Sequence, residues 1–139
     1  MIRNTSIIEF HSFEDKWGAL VPLEQLKEIP FEVKRIYYIY DVPCDVRRGF
    51  HSHRDLQQVL ICVHGRVTIQ VKTPFETEEV VLDNPKKGLL IGPLVWREMY
   101  DFSEGAVLLV LASEYYTVSD YMRDYDDYVR EAKDRFAEA

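Results

Sequence analysis

Arg48-Gly49-Phe50-His51-Ser52-His53, then Gln58-Val59-Leu60-Ile61-Cys62-Val63-His64, then Gly65, then Arg66-Val67-Thr68-Ile69-Gln70-Val71-Lys72, is the stretch whose reading decides the fold. Two apolar, β-branched runs flank a single Gly, so they read as strands joined by a tight turn, expected to close a hairpin. Extended chain turns successive side chains to opposite faces, which puts His51 and His53 on one side and Ser52 on the other. Working outward, 6–11, 18–23, 33–40, 78–82, 88–91, 95–100 and 106–112 also read as short strands bounded by turn residues. Strands at that density imply an all-β jelly roll. One helical pattern follows, about 119–136, where Tyr121, Tyr125, Tyr128, Val129, Ala132 and Phe136 recur at steps of three and four. Ser119 or Asp120 is the expected cap, and the tyrosine stripe is expected to pack on the barrel or a second subunit rather than act in chemistry.

The chain has 139 residues, 47% of them hydrophobic and 13% aromatic, which fits one domain, 1–139, with a real core. A formal charge of −7 disfavours nucleic acid as a partner, because phosphate backbones need a net basic surface. No apolar run is long enough for a membrane helix and no leader is legible, so the expected setting is the cytoplasm. Cys44 and Cys62 form no C-x-x-C pair and read as free thiols.

The chemistry concentrates around the two histidines. Metal-binding barrels of the cupin type carry H-x-H, a Glu soon after, and a final His behind a Pro in a second motif. Here the Glu position reads Gln58, and Pro93-Leu94-Val95-Trp96-Arg97 ends in Arg97. A guanidinium offers no lone pair and repels a cation, so no metal or other cofactor is expected. Two imidazoles beside a fixed positive charge suit acid–base chemistry on an anionic or carbonyl-bearing substrate. On 33–40, alternation aligns Arg35 with Tyr37. If that face lines the barrel, Arg35, Tyr37, Arg48, His51, His53, Gln58 and Arg97 share a cavity fit for a diphosphate. A single Arg on a strand is ordinarily a solvated charge, and only the grouping of several around His51 points to a ligand. Trp17 and Trp96 are candidate cavity walls, although an indole is ordinarily core. His11 and His64 lack such company and read as structural.

The runs Pro30-Phe31, Lys34-Arg35-Ile36-Tyr37-Tyr38-Ile39, Arg48–His53, Gln58–Cys62, Gly92-Pro93-Leu94-Val95-Trp96-Arg97-Glu98-Met99 and Leu111-Ala112-Ser113-Glu114-Tyr115-Tyr116 resemble the sugar 3,4-ketoisomerases over nearly the whole chain. The resemblance implies a cupin fold with a C-terminal helix and action on dTDP-4-keto-6-deoxy-D-glucose. The implied product is the 3-keto isomer used for 3-amino-3,6-dideoxy sugars of bacterial surface glycans such as O-antigens and S-layers. It implies a metal-independent homodimer with exchanged N-terminal strands. It also implies His51 as base and His53 as its partner, Tyr37 and Arg97 near the sugar, and Arg48 among nucleotide contacts. Arg97 resembles the branch giving the gluco product. Trp17 departs from the pattern, since the gluco branch carries Tyr there and the galacto branch Arg, and an indole cannot copy a phenol's O–H. The competing readings are the galacto product, a 3,5-epimerase, a non-catalytic sugar-nucleotide-binding cupin and a metal-dependent oxygenase. The epimerase ranks lower because the chain is shorter and no His–Asp dyad is legible.

Overall fold

Along β4 (Arg35–Tyr40) half-buried and exposed residues alternate, as a strand with one covered face requires. β6 (Gln58–His64) is instead buried without interruption from Gln58 to Cys62, because it lies mid-sheet with layers on both sides. In the computed structural model, which describes residues 1–137, these two strands belong to one five-stranded antiparallel sheet. Its order is β1 (Thr5–Glu9), β9 (Lys87–Ile91), β6, β11 (Val107–Ala112), β4. A second sheet runs β12 (Tyr121–Met122), β5 (Arg48–His53), β10 (Trp96–Tyr100), β7 (Val67–Lys72), β8 (Thr77–Leu82). β2 (Phe13–Asp15) and β3 (Gly18–Leu20) form a separate hairpin. The expected all-β jelly roll is therefore present, as two facing sheets rather than a closed barrel.

Leu60, Cys62, Leu89, Leu108 and Val110 of the first sheet meet Val67, Ile69, Val71 and Met99 of the second in the main core. Ile29 and Phe31 cover the outer face of the first sheet against Val59, Ile61 and Leu111. Helix α1 (Tyr125–Ala137) covers the second sheet, burying Tyr128, Ala132 and Phe136 beside Leu94, Trp96 and Met122. Covering a side chain the size of Phe136 stabilises by about 1.5–3 kcal/mol.

Three expectations need correction. β6 and β7 do not form a hairpin. β6 pairs with β9 and β11, and β7 with β8 and β10, so His64-Gly65-Arg66 carries the chain from one sheet to the other. Gly65 has φ +78, and a Cβ on it would lie 2.9 Å from Ala106 Cα, so the crossing needs glycine. The helix starts at Tyr125 rather than 119. Val118–Asp120 is a 3₁₀ turn, and Tyr121 and Met122 pair with His53 and Ser52 of β5, so ladder bonds override the helical stripe. Asp124 then serves the helix start, its Oδ1 accepting the Asp127 N–H at 2.9 Å. β2 was absent from the expected strands, and β3 ends at Leu20.

Candidate active site

β5 and β10 bring the key residues together through an irregular ladder. Arg97 lies opposite His51, but the next residue, Glu98, lies opposite Gly49, so Phe50 is one extra residue in β5. Gly49 and Phe50 both have positive φ, +97 and +55, and a Cβ on Gly49 would stand 3.0 Å from the Arg97 carbonyl oxygen. Strict alternation would send Arg48 and His51 to opposite faces. The bulge brings both to the same cleft, with Arg48 paired across from Met99.

That cleft, about 330 Å³, is lined by Arg35, Tyr37 and Ile39 of β4, Arg48, Gly49 and His51 of β5, and Met99 of β10. Tyr116, Tyr121 and Arg123 complete its rim. The Arg35 guanidinium lies 4.7 Å over the Tyr37 ring and 5.5 Å from the Tyr116 ring. His51 and His53 are edge to face with centroids 5.0 Å apart, and the Tyr121 ring lies 5.2 Å and 4.3 Å from them.

Arg97 lies completely buried behind the cleft. Its Nη1 donates to Gln58 Oε1 at 2.6 Å and its Nη2 to the Val95 carbonyl at 3.0 Å. Gln58 Nε2 in turn donates to the Tyr37 hydroxyl at 2.9 Å, which leaves the phenol's own proton free to donate. The two positions that break the metal-ligand pattern are thus bonded to each other. A guanidinium in this place does not fit a cation site, and among the described residues no group of three His, Cys, Asp or Glu side chains converges.

Burial, then the charge of Arg97, lowers His51 to about 4. The same causes, with His51 added, push His53 lower still. Both imidazoles are therefore neutral near pH 7. Burial also lowers Arg97, to about 10, which leaves it charged, while burial raises Tyr37 against the opposing pull of Arg97 and keeps it protonated.

The two tryptophans stand apart from this cleft. Trp17 is 84% exposed in the turn between β2 and β3. Trp96 faces α1, where it donates to Glu98 Oε2 at 2.9 Å and packs on the Tyr125 and Tyr128 rings, so its place is the core between sheet and helix. Sequence reading missed Tyr116, Tyr121 and Arg123, and also Asp120, whose Oδ2 lies 3.3 Å from His53 Nδ1. The signal available was weak: Tyr121 fits the helical stripe as well as it fits a strand. The His–Asp pair whose absence counted against an epimerase is therefore present, and chain length alone still bears against that reading.

The family described as FdtA: WxcM-like, C-terminal, matches residues 3–133. The chain belongs to the FdtA family. It is 45% identical, over 88% of both chains, to a TDP-4-oxo-6-deoxy-alpha-D-glucose-3,4-oxoisomerase of Aneurinibacillus thermoaerophilus. It is 54% identical to the 3,4-ketoisomerase QdtA of Thermoanaerobacterium thermosaccharolyticum, solved as a His-to-Asn variant in complex with TDP-4-keto-6-deoxyglucose. The TM-score there is 0.96, with 98% of this chain and 99% of that one covered. The TDP-quinovose 3,4-ketoisomerase WlaRB of Campylobacter jejuni matches at 44% identity and TM-score 0.90, covering 93% of this chain and 99% of that one. The resemblance to sugar 3,4-ketoisomerases, the fold and the isomerase class agree with these FdtA-family relatives.

Proposed function

We propose that this FdtA-family isomerase converts dTDP-4-keto-6-deoxy-D-glucose to dTDP-3-keto-6-deoxy-D-glucose, with His51 as the base. The observation that carries the reading is a neutral His51 on the wall of a cleft that also holds Arg35, Arg48 and the Tyr37 phenol fed by Gln58 and Arg97. Arg48 and Arg35 bind the diphosphate, whose oxygens match forked N–H donors. His51 takes the proton from C3. The C3–H electron pair becomes the C3=C4 double bond and the C4 oxygen takes the negative charge, which the Tyr37 proton and the Arg97 charge stabilise. The C3 hydroxyl proton passes to the C4 oxygen and the protonated His51 returns its proton to C4, which leaves a C3 ketone and a C4 hydroxyl and regenerates the base, with His53 as the partner of His51. Positioned proton transfer of this kind supplies on the order of 10²–10⁴ in rate.

The active protein is a homodimer of single-domain subunits with exchanged N-terminal strands, working in the cytoplasm. The free-standing hairpin supports the exchange, because β2 and β3 pair only with each other and leave Phe13, Trp17 and Leu20 exposed. In that assembly Trp17 reaches the neighbouring cleft and faces the sugar. Incubation with dTDP-4-keto-6-deoxy-D-glucose in deuterated water, trapping with a 3-aminotransferase, tests the reaction. A gluco 3-amino sugar labelled at C4 is expected. A galacto product would assign the outcome to Trp17, label at C3 and C5 would make the protein an epimerase, and dTDP binding without conversion would make it a binding module.

A further inference from the structure

His53 Nδ1 and Asp120 Oδ2 are both buried and both lack a hydrogen-bond partner, yet they stand 3.3 Å apart. An unpaired buried polar atom costs about 1–3 kcal/mol, so complementary atoms this close lack only a small rotation of ring or carboxylate. Asp120 is held to serve this contact. Its other oxygen, Oδ1, accepts the Asp55 N–H at 2.9 Å. Its own carbonyl accepts the Arg54 N–H at 3.0 Å, and Arg54 Nη1 donates to the Ser119 carbonyl at 2.7 Å. The two residues that follow His53 in the chain therefore clamp the carboxylate beside the His53 ring, while Tyr121 pairs with His53 across the β12–β5 ladder.

We infer that Asp120 is a positioning residue that fixes the tautomer of His53, with the proton on Nδ1 and the lone pair on Nε2. A neutral imidazole carries one N–H and one lone pair, and its neighbours decide which nitrogen has which. The charges acting on His53 besides Asp120 are Arg97, Arg35 and Arg123, with His51 and Tyr121 packed against the ring. All the charged ones are cations, which favour a lone pair over an N–H on the ring nitrogen not facing Asp120, while the carboxylate favours an N–H on the one that does. The consequence for catalysis rests on the ketoisomerase reading: the buried Nε2 lone pair is left as an acceptor facing the His51 side of the site, whose ring centroid lies 5.0 Å away.

The test is nitrogen-15 NMR of histidine-labelled full-length protein at pH 7 without ligand. The expected result is a His53 proton on Nδ1. Asp120→Asn keeps an oxygen for the Asp55 N–H and presents an amide to the ring, so it is expected to move the proton to Nε2. In that variant kcat should fall on the order of 10- to 100-fold, the range for outer partners of a functional histidine, with KM nearly unchanged, and Asp120→Glu should restore part of the loss. A proton on Nε2 in the unaltered protein, or the same tautomer in Asp120→Asn, overturns the inference, and the first measurement decides it even if the variant fails to fold. The expected switch in a protein that does not turn over dTDP-4-keto-6-deoxy-D-glucose would support the pairing and count against the ketoisomerase reading instead.

Discussion

At His51 the proposed chemistry depends on an imidazole that stays unprotonated while a cation sits behind it. Burial and Arg97 lower it to about 4, so kcat/KM, which reports the free enzyme, should stay flat from pH 7 down to about 5 and fall only toward pH 4. A fall centred at the ordinary histidine value near 6.5 would show that the cleft does not desolvate His51. Replacing His51 with Asn should abolish turnover while dTDP binding, measured calorimetrically, stays largely intact, because base removal costs the chemical step more than ground-state affinity. Near-normal turnover would remove His51 from the mechanism.

Among the elements, the contact between α1 and the second sheet depends most on one hydroxyl. Tyr128 is fully buried, and its O–H is shared between the Leu94 carbonyl at 2.8 Å and the Lys72 carbonyl at 3.0 Å. Tyr128→Phe should cost about 1–3 kcal/mol in urea unfolding, since it strips two buried acceptors of a donor without leaving a large cavity. A loss below a few tenths would mean that water or another group replaces the hydroxyl. The elements also show what was legible in the sequence. Strands such as β4 and β11 were readable because their periodicity is local. The crossing at Gly65 was not, because a tight turn looks alike whether its strands pair with each other or with different sheets. Tyr121 was lost for a related reason: three- and four-residue spacing marks a helix only if no strand edge competes, and the open edge of β5 does. Arg48 was grouped correctly with His51, although alternation alone would have separated them.

For the molecule as a whole, the two lowered histidines link stability to pH. Both bind protons less readily folded than unfolded, so the stabilisation is complete above pH 6.5, is lost for His51 as pH falls toward about 4, and for His53 goes on being lost below that. Each contributes a slope of up to about 1.4 kcal/mol per pH unit in that window. Urea midpoints should therefore drop between pH 7 and pH 5, and His53→Gln should flatten the drop. An unchanged slope would place the acid sensitivity elsewhere. The β2–β3 hairpin, which joins neither of the two main sheets, belongs to this scale too: light scattering should give twice the chain mass, and a monomer that turns over substrate at full rate would leave strand exchange without a role.

The extra residue at Phe50 has a consequence for how this site tolerates change in length. Every residue before it is one step out of phase with the strand it extends, and Arg48 shares the cleft with His51 only because of that offset. Deleting Phe50 would restore a regular ladder and leave every side chain of the cleft chemically present. Arg48 would then stand two residues from His51, still across from Met99 and on the cleft face, whereas forcing this stretch into a regular strand with Phe50 kept would separate the anion-binding side from the base without substituting either one.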